Sequence, residues 1–263
     1  MDSYLIFILP IAGLAAGTIG ALIGAGGGFI IVSLLLYVFP EDSPGLITTV
    51  SQSVVLLTSL SATTIYVREK RVNYRSSLNI AAGGVMGMAL GAFTVEHLSR
   101  GYFQIICGVA LFTLMVYLLI NPVRKQGGPR NTALSNKTIS QKFWLFILGL
   151  STGFMGGLLG IGGGIFIVPS LVQLFAFPAH IATATSQFVI LITSPAAIAV
   201  HATSVPISDY LLRILLLGVG AIVGAQVGAR ISKYFSAPWL IRSLALTVGF
   251  VGIQLLNRGF NSI

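Results

Sequence analysis

Residues 24–34 of this chain read GAGGGFIIVSL, and residues 160–170 repeat the pattern as GIGGGIFIVPS. Both stretches place a run of glycines inside strongly apolar sequence. Consecutive glycines interrupt a helix, because glycine loses more backbone freedom than other residues when it becomes helical. Glycine breaks at corresponding positions of two halves are typical of helices that are broken inside a membrane. The two stretches therefore predict a membrane fold that is built twice from one plan.

The composition is that of a multi-pass protein of the cell membrane. Hydrophobic residues form 55% of the chain, charged residues form only 8%, and the mean hydropathy is +0.94. Apolar runs of about 17–25 residues recur along the sequence, as helices that cross a bilayer require. The net charge of +9 comes largely from two connectors, 67–75 and 121–142. Such clustering is typical of cytoplasmic loops, and it does not favour nucleic acid as a partner.

The repeat extends over the whole chain. Residues 12–36 match residues 148–172 at 12 of 25 positions, and residues 45–59 match residues 180–194 at 7 of 15. A third match aligns the glycines of a later helix, Gly87 and Gly91 with Gly224 and Gly228. We therefore predict three parts: a first membrane repeat at 1–120, a cytoplasmic basic connector at 121–142, and a second membrane repeat at 143–263.

Each half is predicted to be a glycine-broken helical hairpin followed by three transmembrane helices. The second arm of each hairpin has about a dozen residues, too few to cross a hydrocarbon core of about 30 Å at 1.5 Å per residue. The predicted hairpins are 4–23 with 28–39 and 143–159 with 165–176, and the predicted crossings are 45–65, 77–95, 101–120, 180–201, 210–229 and 238–256. The fold class is thus an all-α polytopic membrane protein with two homologous halves.

The relative orientation of the halves depends on the hairpins. If each hairpin returns to its starting side, a half crosses the membrane three times and the second half is inverted. Twelve of the 15 Lys and Arg residues then lie in the cytoplasm, in agreement with the positive-inside rule. The alternative treats each glycine unit as one broken crossing, which makes the repeats parallel and also satisfies the rule. The prediction is inversion.

The consecutive glycines are the first candidate binding residues. They expose backbone N–H groups, and the half-helix that follows adds its unpaired first-turn donors and the positive end of its dipole. Two such helix ends at the bilayer midplane would form an electropositive pocket for a small anion. The alternative is that glycine only permits close helix packing. The predicted substrate-binding glycines are Gly26, Gly27, Gly28, Gly162, Gly163 and Gly164.

Other glycines are predicted to serve packing alone. They are spaced along helices as small residues at membrane helix interfaces are, and they comprise Gly13, Gly17, Gly20, Gly87 and Gly91 with their counterparts Gly149, Gly153, Gly156, Gly224 and Gly228. Because alanine is nearly as small as glycine, a Gly91→Ala substitution is expected to be mild.

Two sets of polar residues are the second candidates. Each set falls at i, i+3 and i+4, which is one face of a helix, and the sets are Thr48, Ser51 and Gln52 in the first half and Thr183, Ser186 and Gln187 in the second. Polar side chains in a membrane helix face the bundle interior, where hydroxyl and amide groups can coordinate a substrate. The alternative is hydrogen bonding between helices. We predict that both sets contact the substrate.

Several other chemistries are not supported by the sequence. The three histidines, His97, His180 and His201, lie near helix ends without metal-ligand spacing, so we predict no metal site. The glycine runs lack a dinucleotide fingerprint or a phosphate loop, so we predict no cofactor and no ATP-driven pumping. No Asp or Glu lies well inside a predicted span, so a proton relay is not evident. Glu96 and Asp209 are interpreted as ordinary interfacial charges.

The two glycine signatures, followed in each half by a Ser-Gln helix, resemble the sulfite exporter TauE/SafE family, also called the TSUP family of membrane permeases. The resemblance covers essentially the whole chain. It implies a cytoplasmic-membrane carrier for small sulfur-containing anions such as sulfite or organosulfonates, working by alternating access around a central site. Such a protein is not an enzyme, and its partners are a small anionic substrate and the lipid bilayer. The alternatives are a passive anion channel, a permease for another small anion or metabolite, and a homo-oligomer in place of a monomer.

Overall fold

The computed structural model describes residues 5–121, 139–202, 210–235 and 237–261. Within these residues the chain is all helical, and the predicted all-α fold is confirmed. The α-helices are α1 Leu5–Ile23, α2 Gly28–Val38, α3 Pro44–Arg68, α4 Tyr74–Val95, α5 Arg100–Ile120, α6 Ile139–Leu159, α7 Gly164–Gln173, α8 Ala179–His201, α9 Leu211–Ile231 and α10 Ala237–Asn261. The predicted connector, 121–142, lies outside the described residues between 122 and 138, and so does Asp209.

Seven of these helices, α1, α3, α4, α5, α6, α8 and α9, are long and apolar enough to cross a membrane. The predicted last crossing corresponds to α10, which has 25 residues and packs along α5 but is not among the seven. The outer surface is apolar, with side chains such as Phe7 and Phe250 more than 70% exposed. An exterior of this kind is stable only against lipid. The chain is therefore a multi-pass membrane protein.

Local sequence explains where the helices begin. Ser43 precedes α3 and accepts a hydrogen bond from the Leu46 N–H, with Pro44 at the first helical position. Asn73 caps α4 in the same way by accepting from the Ser76 N–H. The short helices α2 and α7 instead follow glycines in the left-handed conformation, Gly27 and Gly163. A left-handed residue reverses the chain, and this is the break that the glycine run predicts.

Each short helix returns to the side from which its hairpin starts. Asp42, just after α2, forms an ion pair of 2.7 Å with Arg213 near the start of α9. The start of α1 lies at the same end, since Pro10 packs against Gly220 on α9. In the second half Gln173, the last residue of α7, donates a hydrogen bond to the carbonyl of Asn121 at the end of α5. With 11 and 10 residues, α2 and α7 are about 15–17 Å long, which is half of a bilayer core.

The central helices of the two halves, α3 and α8, run in opposite directions. Thr48 near the start of α3 contacts His201 at the end of α8. At the other end of the molecule, the Asn73 N–H just after α3 donates to the Thr185 hydroxyl near the start of α8. If both helices span the bilayer, the halves have opposite orientations. This pairing supports the predicted inversion, which has its own test below.

Spaced glycines allow the helices of two parallel pairs, α1 with α9 and α4 with α6, to pack with their backbones in contact. A Cβ on Gly13 or Gly17 of α1 would overlap the carbonyl oxygen of Leu217 or Ala221 on α9. Helices α4 and α6 pack in the same manner, because a Cβ on Gly87 would overlap the Leu150 carbonyl oxygen. The structure confirms the packing role that the sequence predicts for the spaced glycines, a close approach that only a missing side chain permits.

The expectation of a mild Gly91→Ala substitution is wrong. A Cβ at this position would overlap the Phe154 carbonyl oxygen and lie 2.6 Å from the Leu158 backbone nitrogen. Backbone atoms of a packed helix cannot move aside as a flexible side chain can. One methyl group is therefore too large where two helix backbones touch.

We expect Gly87→Ala to destabilise the protein, while the same substitution at Gly45 should not. The added methyl at Gly87 forces α4 away from α6, which costs about 1–3 kcal/mol by the usual range for overpacking. At Gly45 of α3 the Cβ has ordinary contact, 3.8 Å from the Glu96 Cγ, and alanine favours the helix. Thermal unfolding of the two purified variants measures the difference. Equal unfolding temperatures would contradict backbone contact between α4 and α6.

We expect cysteines introduced at Arg75 and Tyr234 to react only from the cytoplasm, and one at Glu41 only from outside. All three positions are exposed, and a Cys107→Ala background removes the buried native thiol. Lys233 lies 3.4 Å from Glu69, so the loop after α3 and the end of α9 share one side. Labelling of intact cells and of inverted vesicles with an impermeant maleimide gives the answer. Labelling of Arg75→Cys and Tyr234→Cys from opposite sides would rule out inverted repeats.

Candidate functional site

The two glycine turns meet in the interior of the molecule. A Cβ on Gly28 would lie 2.7 Å from the Cα of Ile161, and a Cβ on Gly164 would lie 3.0 Å from the Cα of Ala25. All six glycines predicted as substrate-binding are buried. Four of them, Gly26, Gly27, Gly162 and Gly163, have φ between 76° and 79°, a conformation that a side chain would strain. The structure thus brings both predicted glycine sets into one place.

Both short helices begin at this meeting point and run away from it. Among the described residues, no hydrogen bond is formed by the backbone N–H groups of Gly28 and Phe29 at the start of α2, or of Gly164 and Ile165 at the start of α7. Each helix start also carries the positive end of its dipole. Unpaired donors and partial positive charge therefore come together in a buried, apolar setting. This combination suits an anion.

The Ser-Gln pair of α3 is hydrogen-bonded to the second glycine turn. The Ser51 hydroxyl donates to the Gly160 carbonyl at 2.7 Å, and the Gln52 amide donates to the Gly156 carbonyl at 2.8 Å. Both side chains are fully buried. A side chain of the first half therefore satisfies backbone groups of the second half, where no water is available to do so.

The Ser-Gln pair of α8 makes the reciprocal contacts with the first glycine turn. The Ser186 hydroxyl donates to the Gly24 carbonyl at 2.9 Å, and the Gln187 amide donates to the Gly20 carbonyl at 2.9 Å. The interhelical hydrogen bonds left open as an alternative are thus present in this conformation. The Gln52 amide nitrogen also donates to the Met88 sulfur at 3.6 Å. The Gln187 amide nitrogen has a second hydrogen, and the carbonyl oxygens of Gln52 and Gln187 are buried without a partner.

The methyl groups of the two threonines in the predicted sets, Thr48 and Thr183, lie beside the glycine turns. A Cβ on Gly160 would lie 2.7 Å from the Thr48 Cγ2, and one on Gly24 would lie 2.9 Å from the Thr183 Cγ2. Their hydroxyls donate within their own helices, from Thr48 to Gly45 and from Thr183 to Ala179. In this conformation the threonines shape the turns rather than offer them a donor.

Sequence reasoning missed two apolar residues at the centre, Val55 and Ile190. A Cβ on Gly26 would lie 3.0 Å from the Val55 Cγ1 and 3.5 Å from the Ile190 Cδ1, and Gly162 has the same two neighbours. The two side chains occupy corresponding positions of α3 and α8 and separate the turns from open space. Helical spacing could have found them, because they lie seven positions after Thr48 and Thr183 on the same helix face.

Sequence reasoning also missed a contact of Glu96, which was interpreted as an ordinary interfacial charge. The Glu96 Oε1 lies 3.3 Å from the Nδ1 of His201, whose ring is fully buried, and the His201 Nε2 lies 3.2 Å from the Thr48 hydroxyl. The Glu96 carboxyl group therefore contacts a buried side chain, that of His201. No signal in the sequence links two residues 105 positions apart.

The opposite end of α3 carries a charged cluster that ties the halves together. Arg71 donates to Glu69, to the Ser232 hydroxyl after α9, and to the His180 carbonyl at the start of α8. Burial raises the pKa of Glu69, but hydrogen bonds from Arg71 and Lys233 outweigh it and leave that pKa below its usual value. The cluster closes this end of the molecule, as the Arg213 and Asp42 pair does at the other.

Among the described residues, no group of three or more His, Cys, Asp or Glu side chains is placed to hold a metal ion. The candidate site is therefore the glycine centre, which consists of the two turns, the two Ser-Gln pairs, the two threonines, Val55 and Ile190.

Comparison with known proteins identifies the family. The profile of the sulfite exporter TauE/SafE family matches residues 9–255. The chain is 30% identical to the probable membrane transporter protein YunE of Bacillus subtilis, over 97% of this chain and 98% of that protein. It is 26% identical to a probable membrane transporter protein of Methanocaldococcus jannaschii, over 95% and 94% of the two chains. No solved structure matches. The chain belongs to the sulfite exporter TauE/SafE family.

Proposed function

We propose that the protein is a secondary carrier for small sulfur-containing anions such as sulfite or organosulfonates, and that the glycine centre binds the anion. The observation that carries this proposal is the meeting of two helix starts with unpaired N–H groups inside the protein. Two positive dipole ends that face each other in an apolar medium repel, and an anion between them would relieve the repulsion. The family name supplies the class of anion.

A sulfur oxyanion suits donors of this kind. Its oxygens accept hydrogen bonds from several directions, and its charge is spread over them, which lowers the cost of leaving water. Backbone N–H groups and the second amide hydrogen of Gln187 can replace lost water without adding a fixed charge, and the second hydrogen of Gln52 can do so by leaving its weak acceptor, the Met88 sulfur. A site without lysine or arginine can also release its anion readily, as a carrier must.

The packing of the centre favours a carrier over a passive channel. Val55 and Ile190 lie against both glycine turns, and charged contacts of Arg71 and of Arg213 close the two ends. A channel needs a continuous path, whereas a carrier passes through a closed state between its two open states. Helices α2 and α7 span only half of the bilayer core, and glycine turns join them to the preceding helices. We therefore expect these two short helices to move during transport.

We expect purified protein in liposomes to take up labelled sulfite, thiosulfate or methanesulfonate with a rate that saturates. Unlabelled anion on the other side should accelerate the uptake, because a carrier returns faster when it is loaded. Sulfate should compete more weakly than methanesulfonate, whose single charge costs less to remove from water. Uptake that rises linearly with concentration and shows no countertransport would favour the channel. Absence of uptake for the whole panel would contradict the proposed substrate class.

We expect Gln187→Leu and Gln52→Leu to weaken anion binding about five- to a hundredfold, since a missing donor in a dry site costs about 1–3 kcal/mol. Each substitution should also lower stability, because it removes a hydrogen bond to a turn carbonyl. Gln226→Leu is the matched control, since Gln226 donates to the Ser61 carbonyl away from the centre. Substrate-dependent thermal shifts measure affinity and stability together. Normal affinity of the folded Gln52 and Gln187 variants would leave these residues with a packing role only.

A further inference from the structure

We propose that Glu96 and His201 together bind one proton that is carried in the same direction as the anion. The proposal rests on the carrier function proposed above and assigns it a source of energy. The pair lies at the end of the molecule where α3 starts and α8 ends. His201 is completely buried, whereas the Glu96 side chain is 17% exposed, so Glu96 is the group that meets water.

The hydroxyl of Thr48 determines which nitrogen of His201 carries a hydrogen. The Thr48 Oγ1 lies 2.9 Å from the Gly45 carbonyl oxygen and 3.0 Å from the Pro44 carbonyl oxygen. A carbonyl oxygen only accepts, and we assign the single hydroxyl hydrogen of Thr48 to these contacts. With this assignment Thr48 accepts from His201, and the Nε2, 3.2 Å away, carries the ring hydrogen. In this tautomer the Nδ1 of a neutral His201 is a lone pair.

That lone pair faces a carboxyl oxygen. The His201 Nδ1 and the Glu96 Oε1 are 3.3 Å apart, and neither a neutral Nδ1 nor a carboxylate can donate. One proton must lie between them, either on the carboxyl group or on the ring. When that proton leaves, two lone pairs face each other in a buried position and the contact loses its basis. With the assigned tautomer, the closed arrangement corresponds to the protonated state of the pair.

Glu96 is the charged group that the described structure places against His201. From α4 comes the Glu96 carboxyl, and from α3 come the Thr48 hydroxyl and the uncharged Gly45, whose Cβ would lie 3.8 Å from the Glu96 Cγ. The nearest aqueous route for the proton runs through the part of Glu96 that is exposed. Proton transfer needs only a hydrogen-bond step from the Glu96 carboxyl to the His201 Nδ1.

The pair is connected to the glycine centre through Thr48. The methyl group of Thr48 lies 2.7 Å from the position that a Cβ on Gly160 would take, at the second glycine turn. If the unprotonated pair separates, Thr48 loses the Nε2–H donor and its support of this turn changes. A singly charged anion in the centre, such as methanesulfonate, and a proton on the pair also neutralise each other, so the carrier loaded with both has no net added charge to move through the membrane.

The corresponding positions of the other half carry different chemistry. The alignment of the repeats places Tyr66 opposite His201 and Lys233 opposite Glu96. The Tyr66 hydroxyl donates to the Ala21 carbonyl at 2.6 Å, and a phenol ordinarily keeps its hydrogen near neutral pH. The repeat thus has one proton site instead of two. That site lies at the end of the molecule assigned to the outside by the predicted topology.

The first test is proton-driven accumulation of methanesulfonate, an anion that is fully ionised near neutral pH and carries no proton itself. A gradient of about one pH unit, acidic outside, should drive about tenfold accumulation in liposomes if one proton accompanies each anion. A trapped pH dye should show acidification of the interior during uptake. His201→Asn should reduce the accumulation ratio to about one. Accumulation that ignores the pH gradient, or alkalinisation of the interior, would overturn the proposal.

His97→Asn is the matched control. His97 is an exposed histidine next to Glu96, and its substitution should leave proton-driven accumulation intact. Glu96→Gln should lose the pH drive as His201→Asn does, because the amide cannot exchange a proton with the ring. Retention of the drive in Glu96→Gln would remove the carboxyl group from the proposed site.

The second test needs no transport. NMR of protein with labelled histidine, assigned by comparison with His201→Asn, should show the His201 ring change its protonation state as the pH is varied, and Glu96→Gln should shift that transition. A wild-type ring that keeps one state at every pH at which the protein stays folded would overturn the proton site even if anion transport is found. Absence of methanesulfonate uptake together with a normal His201 transition would instead contradict the proposed anion carrier and leave the proton site standing.

Discussion

The hydrogen bonds from the Ser-Gln helices to the opposite glycine turns are the constraint on which the structure depends. A glycine turn inside a membrane protein exposes carbonyl groups that water cannot reach, and each must find a partner in the protein. Helices α3 and α8 supply these partners across the boundary between the halves, through Ser51 and Gln52 on one side and Ser186 and Gln187 on the other. Within its own half only Ser51 reaches the turn, at 3.3 Å from the Gly28 carbonyl, and the other three side chains bond to the turn of the opposite half. The duplication is therefore one structural unit.

The same bonds explain why the centre can remain rich in donors. Because the turn carbonyls are occupied by serine and glutamine, the neighbouring N–H groups at the starts of α2 and α7 are left without an internal acceptor. The centre thus holds unpaired backbone donors, together with the two unpaired side-chain carbonyl oxygens of Gln52 and Gln187. The fully buried side chains of Val55 and Ile190 lie against both turns, so in the proposed carrier a movement that admits an anion would displace them together with a glycine turn.

The fold was largely predictable from the sequence because it follows from apolar run length, glycine position and internal repetition. These signals located the helices and both broken hairpins. The sequence also predicted that the glycine turns and the Ser-Gln pairs lie close together in the fold. It did not predict the hydrogen bonds from the Ser-Gln pairs to the turns, because these bonds depend on the packing of α3 against α8. Two features could not be predicted. The severity of Gly91→Ala depends on the exact distance between two backbones, and the contact of Glu96 with His201 joins residues with no periodic relation.

The parallel glycine contact between α1 and α9 has a consequence for synthesis of the protein. Helix α1 leaves the ribosome well before the helix that covers its glycine face, which follows some 190 residues later in the chain. Until α9 is made, Gly13 and Gly17 lack their backbone partners, although α1 can already pack against α2 and α3. The second pair, α4 with α6, can form much earlier. The close glycine contacts of this membrane protein therefore form from the middle of the chain outward, and the contact of α1 with α9 completes them.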